Sequence, residues 1–200
     1  GGILHHYAQG YKTGNQFRSS VNLSGGSEKA LLTSSLSYSK TNGVLPNSDY
    51  KNISARLAGQ FKFGNKLRFS PGVYFINSGG YRVNADRYNE SLTYWSPRWD
   101  VMDYKKPDGT MVYHGNNNPV YGTYSNRFKD NVNRVIGNMA LTYSPFTWFD
   151  LDYKLGMDYY SDFRRHTGPG PMGIPGEVPH GDNGDGFVDE YRISNRILNS

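Results

Sequence analysis

Apolar and polar residues alternate along much of this chain. Residues 52 to 63 place Ile53, Ala55, Leu57, Gly59, Phe61 and Phe63 on one side and Asn52, Ser54, Arg56, Ala58, Gln60 and Lys62 on the other. That period of two predicts a strand with one apolar and one polar face. The pattern recurs with Phe17, Val21 and Leu23, with Leu32, Leu36 and Tyr38, with Leu67, Phe69, Val73 and Phe75, and with Val135, Met139, Leu141 and Tyr143. Its longest copy sets Phe149, Leu151, Tyr153, Leu155, Met157 and Tyr159 against Asp150, Asp152, Lys154 and Asp158. Strands are expected near 16–24, 30–39, 52–63, 67–77, 131–143, 148–163 and 191–200.

The longer copies exceed the ~9–11 residues that a tilted strand needs to cross membrane hydrocarbon. The connections also sort by length. Tight turns carrying Gly, Asn, Ser or Pro fall at 24–29, 64–66 and 144–147, and longer excursions at 40–51, 78–130 and 165–190. This alternation predicts an all-β chain forming a segment of a large antiparallel up-and-down transmembrane β-barrel, with short periplasmic turns and long extracellular loops. Phe61, Phe63, Phe69, Tyr143, Phe146, Trp148 and Phe149 cluster beside the short turns, where an interfacial girdle would sit. On this reading Arg56, Gln60, Lys62, Arg134, Asp152, Lys154 and Asp158 face the lumen. A Lys or Arg turned to lipid at mid-bilayer would cost ~2–4 kcal/mol.

Composition excludes other classes. A mean hydropathy of -0.71, with no apolar run near the ~20 residues of a spanning helix, argues against a helical membrane protein. Cysteine is absent from the 200 residues, which removes disulfide frameworks and thiolate metal sites. A net charge of +5 comes from basic residues scattered among acidic ones, so no nucleic-acid partner is expected. The opening Gly1-Gly2-Ile3-Leu4 has no signal-peptide pattern, and Ser200 falls inside an apparent strand. The expectation is a piece of a longer chain, with residues 1–200 all in the barrel domain and plug and amino-terminal domains lying elsewhere.

A resemblance sharpens this picture. Ser20-Val21-Asn22-Leu23-Ser24-Gly25-Gly26-Ser27-Glu28-Lys29, then Ser37-Tyr38 and Asn42-Gly43-Val44-Leu45-Pro46-Asn47-Ser48-Asp49-Tyr50-Lys51 resemble the SusC/RagA family of TonB-dependent outer-membrane transporters. Asn118-Pro119, Asp130-Asn131-Val132-Asn133-Arg134-Val135-Ile136-Gly137-Asn138 and Asp158-Tyr159-Tyr160-Ser161-Asp162 extend the resemblance over residues 14 to 164. It implies a multi-pass outer-membrane active transporter of bacterial cells that imports oligosaccharides or peptides. The implied partners are a SusD-like surface lipoprotein, the TonB complex, outer-membrane lipid and a glycan or peptide substrate. No cofactor and no enzymatic activity are implied.

Recognition is expected in the loop from 78 to 130. It carries Tyr94, Trp95, Trp99, Tyr104 and Tyr113 beside Tyr81, Tyr88 and Tyr121, whose flat rings can stack on sugars or peptide groups or pack on a partner. The same rings suit a small core within the loop. The acidic run from Asp182 through Asn183 and Asp185 to Glu190 is a weak calcium candidate: Gly181 and Arg192 stand where an EF-hand loop needs carboxylates. Adjacent His5 and His6 would point to opposite faces of a strand and suit a metal poorly. Two alternatives stay open. One is a soluble carbohydrate-binding β module, for which aromatic loops suffice. The other is a small outer-membrane barrel enzyme, for which Ser161, Asp162 and His166 are near a strand end but form no motif.

Overall fold

In the computed structural model, which describes residues 3–174, 177 and 186–200, seven strands form one antiparallel sheet in sequence order. They are β1 (Asn15–Gly26), β2 (Ala30–Asn42), β3 (Asp49–Phe63), β4 (Leu67–Arg82), β5 (Arg127–Phe146), β6 (Phe149–Gly168) and β7 (Phe187–Asn199). Short helices α1 (His6–Gly10), α2 (Ala85–Thr93) and α3 (Pro119–Ser125) complete the chain. The candidate calcium residues Asp182, Asn183 and Asp185 lie outside the described residues. His6 opens α1 rather than sitting on a strand.

The sheet is open, which corrects the barrel expectation. β1 pairs only with β2 and β7 only with β6 among the described residues, so each presents an unpaired edge. Hydrocarbon tolerates only structures whose backbone N–H and C=O groups are all paired, which for strands means a closed barrel. The transmembrane fold class, the multi-pass outer-membrane localisation and the transporter function built on closure are therefore corrected together. The reason the alternation misled is physical. A period of two reports that a strand has two unlike faces, and it is the same whether the sheet closes or stays open.

Cross-strand register fixes which residues share a face. Arg56 pairs with Tyr74, Tyr74 with Ile136, and Ile136 with Asp158, so the even-numbered residues of β3 to β6 stand together. This polar face carries Arg56, Gln60, Lys62, Arg134, Asp152, Lys154 and Asp158, as their alternation requires, but in an open sheet it encloses no lumen. Arg134 grips Asp158 through Nε at 3.0 Å and Nη2 at 2.5 Å, and Thr142 donates to Asp152 at 2.6 Å. The opposite face is apolar and uncovered: Leu36 is 55% exposed, Leu57 46% and Leu151 56%. The aromatic cluster beside the tight turns exists as ring contacts, Phe146 on Trp148 at 5.5 Å and Phe61 on Phe69 at 6.4 Å, without a barrel for it to encircle.

Strands run further than the periodicity indicates. β4 continues through Asn77-Ser78-Gly79-Gly80-Tyr81-Arg82, where both faces turn polar and the hydrophobic signal fades, yet pairing with β5 persists to Arg82 opposite Phe128. A Cβ on Gly80 would lie 2.1 Å from the Asp49 backbone oxygen, so only glycine fits there. Carboxylates also lock this end. Asp130 accepts from the Gly80 N–H at 3.1 Å, and Asp49 accepts from the Tyr81 N–H at 2.8 Å. The expected excursion at 40–51 shrinks to residues 43–48, closed by Gly43 N–H donating to Ser48 O at 2.9 Å. The buried core lies off the sheet, in the long connection between β4 and β5, where Tyr88, Leu92, Trp95, Val101 and Val120 pack together.

Candidate functional site

A cavity of about 440 Å3 opens between that small core and the loop end of β4, β5 and β6. Its position follows from local sequence. Asn84 caps α2 by accepting the Arg87 N–H at 3.0 Å, which turns the helix away from the end of β4 and brings Arg87 and Tyr88 to the cavity wall. Asn118 caps α3 by accepting from the Val120 and Tyr121 N–H groups at 2.9 and 3.2 Å, with Pro119 preset at the first helical position. The Asn118 amide also donates to Val101 O at 2.9 Å. One buried side chain thereby ties α3 to the core.

Three strands supply the floor: Arg82 ends β4, Phe128 is the second residue of β5 and His166 lies near the end of β6, all on the polar face. His166 Nε2 is 2.6 Å from the Asn126 side-chain oxygen. Its ring also meets Phe128 and Phe187 at 5.8 and 4.9 Å. Arg82 pairs with buried Asp130 while its own side chain stays 62% exposed. Tyr121 donates to Gly109 O at 3.2 Å. Burial raises its phenol above the ordinary tyrosine value, with the negative charges of Glu177 and Asp108 adding to the effect.

Beneath the floor, Asp162 is 2% exposed. One of its oxygens takes both Arg164 guanidinium contacts, at 3.0 and 2.8 Å, and the Tyr160 hydroxyl at 3.1 Å. The Arg164 hydrogen bonds hold this carboxyl below the usual carboxylate range. Ser161 projects to the opposite face of the sheet from Asp162, because successive residues of β6 alternate between faces; it pairs there with Asn133 and Ser194. The sheet thus separates Ser161 from Asp162 and His166.

No family model matches this chain, and no curated protein matches it either. The SusC/RagA resemblance is corrected on these grounds and on the open sheet. Short runs rich in Asn, Gly, Ser and Tyr are what any antiparallel sheet with polar turns requires, so they carry less family information than their order suggests. The SusD-like lipoprotein and the TonB complex are implied by that resemblance alone.

The aromatic residues expected to bind are distributed differently from the cavity. Trp95 is 2% exposed and belongs to the core. Trp99 stacks on His114 with centroids 4.0 Å apart, and Tyr104 stacks on Tyr124 at 5.4 Å while packing against the core. Tyr113 is half-buried, and Tyr94 points outward at 71% exposure. None of these five is among the described cavity-lining residues. Among the polar lining residues, sequence reasoning missed Arg82, Arg87, Asn117 and Asn126, whereas His166 was singled out only beside Ser161 and Asp162. The available signal was Asn84 followed by Arg87, and Asn118-Pro119, each an Asn at a helix start; the cavity forms between the helices they begin.

Proposed function

We propose that this chain is a carbohydrate-binding β module whose ligand enters the cavity between α2, α3 and the ends of β4 to β6. The cavity itself is the observation that supports this reading. Its volume of about 440 Å3 falls within the ~300–1,000 Å3 typical of small-molecule sites. Its wall combines the amides of Asn117 and Asn126 and the guanidinium of Arg87 with the rings of Tyr88, Tyr121 and Phe128. Sugars present hydroxyls around a ring with apolar C–H faces, and such a wall offers donors and acceptors to the former and flat apolar surface to the latter.

Calorimetric titration of the purified chain with a panel of neutral and acidic oligosaccharides tests this. Saturable binding that weakens in Asn117→Ala, with an unchanged melting profile, is the expected result. A panel in which no oligosaccharide binds saturably would defeat the reading.

A further inference from the structure

The charge of the cavity narrows the ligand. Among its described lining residues are Arg82, Arg87 and His166 and no Asp or Glu. Asp86 and Glu90 flank Arg87 on α2 but stay outside the lining, and three further acids are already committed. Asp130 pairs with Arg82 and accepts from Gly80. Glu177 accepts the backbone N–H groups of Met172, Gly173 and Ile174 at 2.7 to 3.3 Å. Asp108 accepts from Thr110 at 2.9 and 2.7 Å. Arg87 differs from Arg82 and Arg164 in making no ion pair among the described residues. It is exposed in the first turn of α2 and lines the mouth of the cavity together with Asn117, Tyr121 and Asn126.

We propose that the ligand is an acidic oligosaccharide whose carboxylate is gripped by Arg87. This rests on the carbohydrate-binding reading and deepens it. A guanidinium presents a planar fork matched to a carboxylate, and the two parallel hydrogen bonds add geometric selectivity to the charge. Neutral sugars leave Arg87 without an anion. Uronic acids complete the charge.

The discriminating experiment compares a galacturonic acid trisaccharide with the galactose trisaccharide of the same linkage, titrated into the full chain. The acidic sugar should bind at least tenfold more tightly, and raising the salt concentration should narrow the gap. Arg87→Gln should cost the acidic sugar roughly tenfold and the neutral one, which loses only a hydroxyl contact, distinctly less, with Arg87→Lys recovering part of the acidic loss. The Arg87 side chain takes no part in capping α2, since Asn84 bonds its backbone N–H, so these variants should fold. Equal affinity for the two sugars would overturn the acidic-ligand proposal and leave carbohydrate binding standing. Failure of both sugars, and of the wider panel, would remove the parent reading as well.

Discussion

Tyr88 links three parts of the molecule through one side chain. It belongs to the buried core, its ring faces Tyr11 at 6.0 Å, and its hydroxyl donates to the Gly10 carbonyl at the end of α1. Gly10 is glycine for a reason that can be measured: a Cβ there would lie 2.9 Å from Leu92 and 3.1 Å from the Tyr88 hydroxyl. Burial raises the Tyr88 phenol well above the ordinary tyrosine value, with neighbouring Tyr11 and Tyr124 contributing. The sign of the linkage follows. The folded state disfavours the phenolate, so the contribution is complete below the unfolded value of ~10 and declines as pH rises past it, when the unfolded chain ionises first. Tyr88→Phe should cost about 0.5–1.5 kcal/mol at neutral pH through the lost hydrogen bond. It should also lose less stability than the parent between pH 8 and pH 11. Urea unfolding at both pH values measures this, and an identical alkaline loss in the variant would show that Tyr88 is not the group responsible.

At the scale of elements, the chain divides its labour between a sheet and a helical cap. The strands are legible in sequence because each has unlike faces: Leu57 beside Arg56, Leu155 beside Lys154. Their ends are not, because Asn77 to Arg82 are polar or small on both sides, and what extends β4 there is backbone pairing plus the carboxylates of Asp49 and Asp130. The cap was hidden differently. Its helices are short, and their start signals are single Asn residues that serve turns equally well. The aromatic density of the loop was visible, but whether Trp95 faced a ligand or a core depended on Leu92, Val101 and Val120 arriving around it. That arrangement makes a separable prediction. Trp95→Ala should destabilise the cap by about 3–5 kcal/mol, because it empties a fully packed position and strands the Trp99 carbonyl that accepts the indole N–H at 3.0 Å. Hydrogen exchange should accelerate across residues 85–125 while β2 and β3, which contribute no residue to this core, keep their protection. Uniform acceleration over the whole chain would show that cap and sheet unfold as one.

For the whole molecule, the two faces of the sheet have opposite consequences. The polar face carries the cavity at one end, through Arg82, Phe128 and His166, and ion pairs such as Arg134 with Asp158 along its length. The apolar face is bare, and Leu57, Val73 and Phe75 remain 46%, 43% and 38% exposed around a shallow hollow of about 470 Å3. Contiguous apolar surface beyond a few hundred Å2 is unusual on an isolated chain and promotes association. The unpaired edges of β1 and β7 add to this tendency. Replacing Leu57, Val73 and Phe75 together by Thr keeps strand-compatible side chains while removing most of the apolar area at the hollow. Light scattering of the parent should therefore rise steeply with concentration, and the triple variant should scatter less at every concentration. Because register puts these residues on the side of the sheet away from Arg82, Phe128 and His166, ligand affinity in the cavity should stay within about twofold. A variant that associates as strongly as the parent would place the driving force in the strand edges instead of the apolar face. One that lost affinity would show that the two faces are mechanically coupled through β4, the strand that carries Val73 and Phe75 on one side and ends in Arg82 on the other.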